Sequence, residues 1–152
     1  MRKFLAVLVL SAPGSWLLPV PARACSCLEQ PFATARAGAA AIFEGRAASV
    51  TPGEDGRLVV AFDVVQTWRA AGHEHVEVVT AGNSAACGYP FEIGTSYLVY
   101  ASEAEGDRYV VSLCSRTAPM AASDGDRALL GSGVVPVDIV DDPEADEPTQ
   151  RQ

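Results

Sequence analysis

The chain has 152 residues, with 11 basic and 19 acidic side chains for a net charge of −8, 49% hydrophobic residues and four cysteines. That length suits one domain of ordinary size. The acidic balance leaves no basic stripe to displace counterions from a nucleic acid, and the hydrophobic fraction excludes a wholly disordered chain.

The N-terminus reads Met1-Arg2-Lys3, then an apolar run over residues 4–10, then a stretch to residue 18 broken by Pro13 and Gly14, then Ala22-Arg23-Ala24. A basic start, an apolar centre and a small-x-small end predict a secretory signal peptide over residues 1–24. The apolar centre is too short to span a bilayer, and no later segment approaches the roughly 20 apolar residues required, so no transmembrane segment is expected. Cleavage after Ala24 makes Cys25 the mature N-terminus, and the protein is expected to be secreted or periplasmic. The residues before Cys25 lack the leucine of a lipoprotein box and carry a charge, which favours simple cleavage over acylation.

Residues 32–41 are alanine-rich behind Pro31 and predict one short helix. Residues 41–50, centred on Ile42-Phe43-Glu44-Gly45, read as a first strand, followed by the turn cluster Thr51-Pro52-Gly53-Glu54-Asp55-Gly56. Alternation of Leu58, Val60, Phe62 and Val64 predicts a second strand to Trp68. Asp63 lies within this pattern, facing solvent. His73-Glu74-His75 beside Gly72 reads as a solvated turn rather than a metal element. Residues 76–80, 96–101 and 108–113 predict third, fourth and fifth strands, the last two joined by a hairpin at Glu105-Gly106-Asp107. Ser123-Asp124-Gly125-Asp126 has the spacing of a capping box before Leu129-Leu130 and a terminating Gly131, which predicts a second short helix. Residues 134–152 carry six acidic residues among three prolines and predict a disordered acidic tail.

An even cysteine count in an exported chain predicts disulfides. Pairing Cys25 with Cys27 would close a strained ring through one residue. Two pairings remain, and each ties the extreme N-terminus to the segments of Cys87 and Cys114. From Cys25 the closed loops span 62 or 89 positions (87−25, 114−25). A loop of that length stabilises by about 4 kcal/mol on chain-entropy grounds. Oxidised sulfur is no metal ligand, so no intrinsic metal and no cofactor are expected. Five short strands with one or two short helices predict a mainly β fold, a five-stranded OB-fold (Greek-key) barrel stapled by two disulfides.

Cys25-Ser26-Cys27 at the expected mature N-terminus, Phe43-Glu44-Gly45, Thr67-Trp68-Arg69, Ala86-Cys87-Gly88-Tyr89 and Cys114-Ser115 together resemble the N-terminal OB-fold domain of the tissue inhibitors of metalloproteinases and bacterial secreted proteins similar to it. The resemblance covers about residues 25–131 within an expected domain of residues 25–133. It implies bridges Cys25–Cys87 and Cys27–Cys114. It also implies that the α-amine and carbonyl oxygen of Cys25 chelate the catalytic zinc of a target protease. Ser26 would then enter the protease's specificity pocket, and Cys27 with Ser84, Ala85 and Ala86 would complete the contact ridge. The partner so implied is a zinc metalloprotease, met by a monomer. The third disulfide of the animal inhibitors' N-terminal domain has no cysteines here, no counterpart of their C-terminal domain follows, and the loop between the first two strands is short.

A second expectation, independent of the cysteines, is a non-enzymatic envelope or extracellular binding module for a glycan or protein partner, with Trp68, Tyr89, Tyr97 and Tyr109 as stacking platforms. No enzyme is expected, since neither HExxH, GxSxG nor a paired-carboxylate motif is found.

Overall fold

The computed structural model describes residues 25–103 and 108–137. The expected leader, the Glu105-Gly106-Asp107 hairpin and the tail beyond residue 137 lie outside the described residues. The elements are α1 (Phe32–Gly38), β1 (Ala41–Pro52), β2 (Arg57–Arg69), β3 (His75–Ala81), β4 (Ser96–Glu103), β5 (Tyr109–Val110), β6 (Ala118–Pro119) and α2 (Asp124–Leu130). The sheet runs β1-β2-β3-β5-β4-β6, and a further β1–β4 pairing closes β1, β2, β3, β5 and β4 into a ring. All pairings are antiparallel except β3 with β5. This closed five-stranded Greek key is the OB-fold barrel expected from the sequence.

β1 can serve two partners because it is bulged. Its register against β2 shifts between Ile42 and Phe43, between Glu44 and Gly45, and between Ala47 and Ser49, while residues 41–46 pair with β4 in unbroken register. Bulges coil a strand and let it turn from one side of a barrel to the other. Gly45 sits at one of these bulges, where an added Cβ would come within 3.2 Å of Asp63 O, the Phe43 ring and the Phe62 ring.

Period-two alternation explains two cores. Phe43, Ala47, Val60, Phe62, Val76, Val78, Tyr97, Val99 and Val111 fill the barrel. Phe62 lies at its centre, with edge-on contacts to Phe43, Phe91 and Tyr97 at centroid separations of 5.6, 5.2 and 6.3 Å. The opposite faces of β1 and β4 supply Ile42, Leu98 and Tyr100, which pack outside the barrel under Ala35 and Ala39, with Trp68, Met120 and Leu130 at the margin. β4 is apolar at consecutive positions because both its faces are covered. Burying each large side chain stabilises by about 2–3 kcal/mol.

Several expectations change. The first helix ends at Gly38, since Ala39 is already extended and Ala41 enters β1. The expected fifth strand over residues 108–113 is regular only at Tyr109–Val110. Beyond it Val111 N still donates to Val79 O, but Ser115 N and Oγ both donate to Ser112 O and turn the chain. That turn delivers a sixth strand, Ala118–Pro119, beside Tyr97 and Leu98. The capping box does not form: Ser123 precedes α2 but gives no side-chain cap, and its hydroxyl donates instead to Pro119 O at 2.9 Å. His75 belongs to β3 opposite Asp63 rather than to a turn. Val134, the first residue assigned to the tail, exchanges both backbone hydrogen bonds with Thr67 at 2.8 Å.

Candidate functional site

Cys25 is joined to Cys87 and Cys27 to Cys114, with Cα–Cα separations of 5.3 and 5.0 Å. The two bridges touch: Cys25 Sγ lies 3.8 Å from Cys114 Sγ and 3.9 Å from Cys27 Sγ. Both bridges are oxidised, so these are van der Waals contacts with no S–H to donate. Residues 25–31 form no regular element, and all but the half-buried Cys25 are exposed. The segment is therefore a strap held at residues 25 and 27 by covalent bonds.

The receiving side is rigid for backbone reasons. Asn83 Oδ1 accepts from Ala86 N at 3.0 Å and Asn83 O from Gly88 N at 2.8 Å, which closes a single tight turn over Ser84–Ala86. Cys87 leaves that turn in the left-handed region at φ 63. Gly88 then passes so close to the end of β3 that a Cβ would lie 2.0 Å from Ala81 O and 2.8 Å from Asn83 O. It pairs with Ser112, and Leu113 N donates to Cys87 O at 2.8 Å, so the segments carrying Cys87 and Cys114 are joined by backbone alone. Ser84, Ala85 and Ala86 are exposed beside the bridge at Cys87. The structure thus brings Cys25, Ser26, Cys27, Ser84, Ala85 and Ala86 into one neighbourhood.

The other end of the strap is held by charge. Arg116 Nε and Nη2 donate to Asp126 Oδ2 and Oδ1 at 2.6 and 2.8 Å, and its Nη1 donates to Gln30 O at 2.6 Å. Tyr100 Oη donates to the same carboxylate at 2.9 Å. The Arg116 hydrogen bond, then that from Tyr100, hold the Asp126 carboxyl below its ordinary range, against a partial opposing effect of burial. Burial, followed by the Asp126 hydrogen bond, raises the Tyr100 phenol. Beside this lock a cleft of about 330 Å³ opens between Leu28, Leu113, Ala122 and Asp126. The guanidinium at its margin spends its donors on protein acceptors, and among the described residues no buried side-chain polar atom lacks a partner. The cleft is a seam under the strap.

The four aromatic residues of the binding-module expectation all take part in packing, with Trp68, Tyr89 and Tyr109 half-buried. Tyr97 is 2% exposed, and its oxygen accepts from Glu92 N at 2.9 Å. Tyr89 and Tyr109 pack against the barrel core, and the Tyr89 phenol is pushed up to about 12 by burial, with Tyr97 adding to the shift. Trp68 covers the second core and donates Nε1–H to Gly131 O at 2.8 Å. His75 Nδ1 lies 3.1 Å from Asp63 Oδ1 on an exposed face.

Sequence reasoning missed the lock of Arg116, Asp126, Tyr100 and Gln30. Its members are up to 96 positions apart (126−30) and share no motif, so no local signal marks them. No protein-family model matches the chain, and no curated protein matches it. Among the described residues no helix is long and apolar enough to cross a membrane.

Proposed function

We propose that this protein, exported and cleaved after Ala24, is an inhibitor of zinc metalloproteases similar to the tissue inhibitors of metalloproteinases, with Cys25 as the chelating residue. The observation that carries this reading is the Cys25-Ser26-Cys27 strap, half-buried at Cys25 and exposed at Ser26 and Cys27, bridged at both cysteines and set beside the tight turn Ser84–Ala86. A catalytic zinc keeps one coordination position for water, and an amine lone pair displaces that water. An α-amine paired with the carbonyl oxygen of its own residue forms a compact chelate. A flexible N-terminus would lose much of the affinity in ordering itself, and the bridge at the chelating residue removes that loss beforehand. An α-amine ordinarily titrates near pH 7.7–8.0, so deprotonation at pH 7 costs about 1 kcal/mol. Ser26 offers a small side chain to the pocket next to the zinc, and the Ser84–Ala86 turn extends the contact.

The test compares the mature protein with a form carrying one extra N-terminal alanine, each titrated against a panel of zinc proteases after mass spectrometry has established the N-terminus. Inhibition by the first and its loss in the second is the expected result. Equal inhibition by both, or none by either, overturns the reading.

A further inference from the structure

The segment Cys114-Ser115-Arg116 grips the N-terminal strap twice. Cys114 is bonded to Cys27, and two residues further on Arg116 Nη1 donates to Gln30 O at 2.6 Å. Between those grips Leu28 is 91% exposed and Glu29 is exposed, and both border the cleft of about 330 Å³. Residues 28 and 29 are thus an arch between cleft and solvent, and a run with so little packing takes its order from its ends. The gripping segment is itself fixed. Ser115 N and Oγ donate to Ser112 O, Thr117 Oγ1 accepts from Tyr100 N at 2.9 Å, and Asp126 accepts from Nε and Nη2 of the same guanidinium.

We propose that Arg116 is a positioning residue for the inhibitory strap: by holding Gln30 O it fixes the course of residues 28–30, which continue the surface offered by Ser26 and Cys27. This rests on the inhibitory reading of the strap. Without Arg116 the run between fixed points lengthens from residues 28–29 to residues 28–31, because the next fixed point is α1, which begins at Phe32. A partner seated on the strap must then order that run on binding, and the loss falls mainly on the dissociation rate. A guanidinium suits the position because its planar fork gives two donors to a carboxylate and keeps another for the carbonyl. A lysine ammonium is a point charge on a flexible stem and cannot hold the same three acceptor atoms in one plane. Asp126 acts one step further back. Its carboxylate aims the guanidinium at the strap, and an amide there would set its own N–H against a guanidinium donor.

The mature wild type, Arg116→Ala, Arg116→Lys, Asp126→Asn and Val60→Ala are compared by nuclear magnetic relaxation, and by their association and dissociation rates with a zinc protease that the wild type inhibits. Val60 is fully buried in the barrel, so its truncation lowers stability without touching the strap. In Arg116→Ala the backbone order parameters of Leu28, Glu29 and Gln30 should fall from about 0.85 to below about 0.6. Dissociation should quicken by about tenfold, the equivalent of roughly one more residue's backbone to order on binding, with association nearly unchanged. Arg116→Lys and Asp126→Asn shift both readouts the same way, and they carry the comparison if Arg116→Ala does not fold. Val60→Ala shifts neither. Order parameters already low in the wild type or unchanged in the variants, unchanged dissociation despite lost order, or the same changes in Val60→Ala overturn the proposal. A wild type that inhibits no protease overturns the inhibitory reading instead, and the order parameters still decide whether Arg116 fixes the arch.

Discussion

Gly88 and Gly38 differ in what a single methyl group would meet. At Gly88 the added carbon collides with backbone atoms of Ala81 and Asn83, while at Gly38 nothing lies within 4 Å. Gly88→Ala should lower stability by about 3 kcal/mol, the upper range for overpacking, because backbone cannot rotate aside. Gly38→Ala at the end of α1 should leave it unchanged or slightly higher. Thermal unfolding of the two variants checks the contrast. Asp126 supplies a second residue-scale prediction, in pH. Its folded pKa is depressed by Arg116, so its contribution is complete above the ordinary carboxylate range, near about pH 4. That contribution is lost as pH falls through the folded pKa, since the unfolded chain takes up the proton first. Calorimetry from pH 7 to pH 2 should show a constant stability difference between wild type and Asp126→Asn down to about pH 5, shrinking below it. Arg116→Ala should be worse at neutral pH, by about 2 kcal/mol, because it strands a carboxylate whose side chain is 13% exposed.

At the scale of elements, legibility in the sequence followed length and period. β2 is long enough for alternation to declare itself and β4 for an unbroken apolar run, and each is found within two residues of its expected ends. β6 has two residues, too few to carry a period, and β5 is cut short by the Ser112–Ser115 turn, whose role depends on where Cys114 must arrive. The expected helix cap failed for a comparable reason. Ser123 had a competing acceptor at Pro119 O that only the packed chain brings within reach. For the site, the cysteines were visible as residue types, and Ser84, Ala85 and Ala86 entered only through the family resemblance, whereas arithmetic on spacings left two pairings open. The backbone pairing of Gly88 with Ser112 brings the two receiving segments together and fits either pairing; the structure joins Cys25 to Cys87 and Cys27 to Cys114. Each bridge closes a long loop, with sequence separations of 62 and 87. Replacing Cys27 and Cys114 together by serine should therefore lower stability by about 4 kcal/mol, read from denaturant midpoints under non-reducing conditions.

For the molecule as a whole, the proposed cleavage after Ala24 would take away three basic and no acidic residues and leave residues 25–152 at a net charge of −11 (8−19). The ring β1-β2-β3-β5-β4 depends on one parallel contact, β3 with β5, made across residues 78–79 and 109–110. Everything synthesised before Tyr109 is an open sheet, and an open sheet cannot enclose Phe62. Synthesis proceeds at about 5–20 residues per second, so Cys25 and Cys27 wait several seconds for Cys87 and longer for Cys114. Cys87 precedes the closing strand and Cys114 follows it, so one of the two bridges that hold the strap joins segments made before the ring can close and the other needs a segment made after. The strap is therefore fastened to both sides of the point in the chain where the barrel closes.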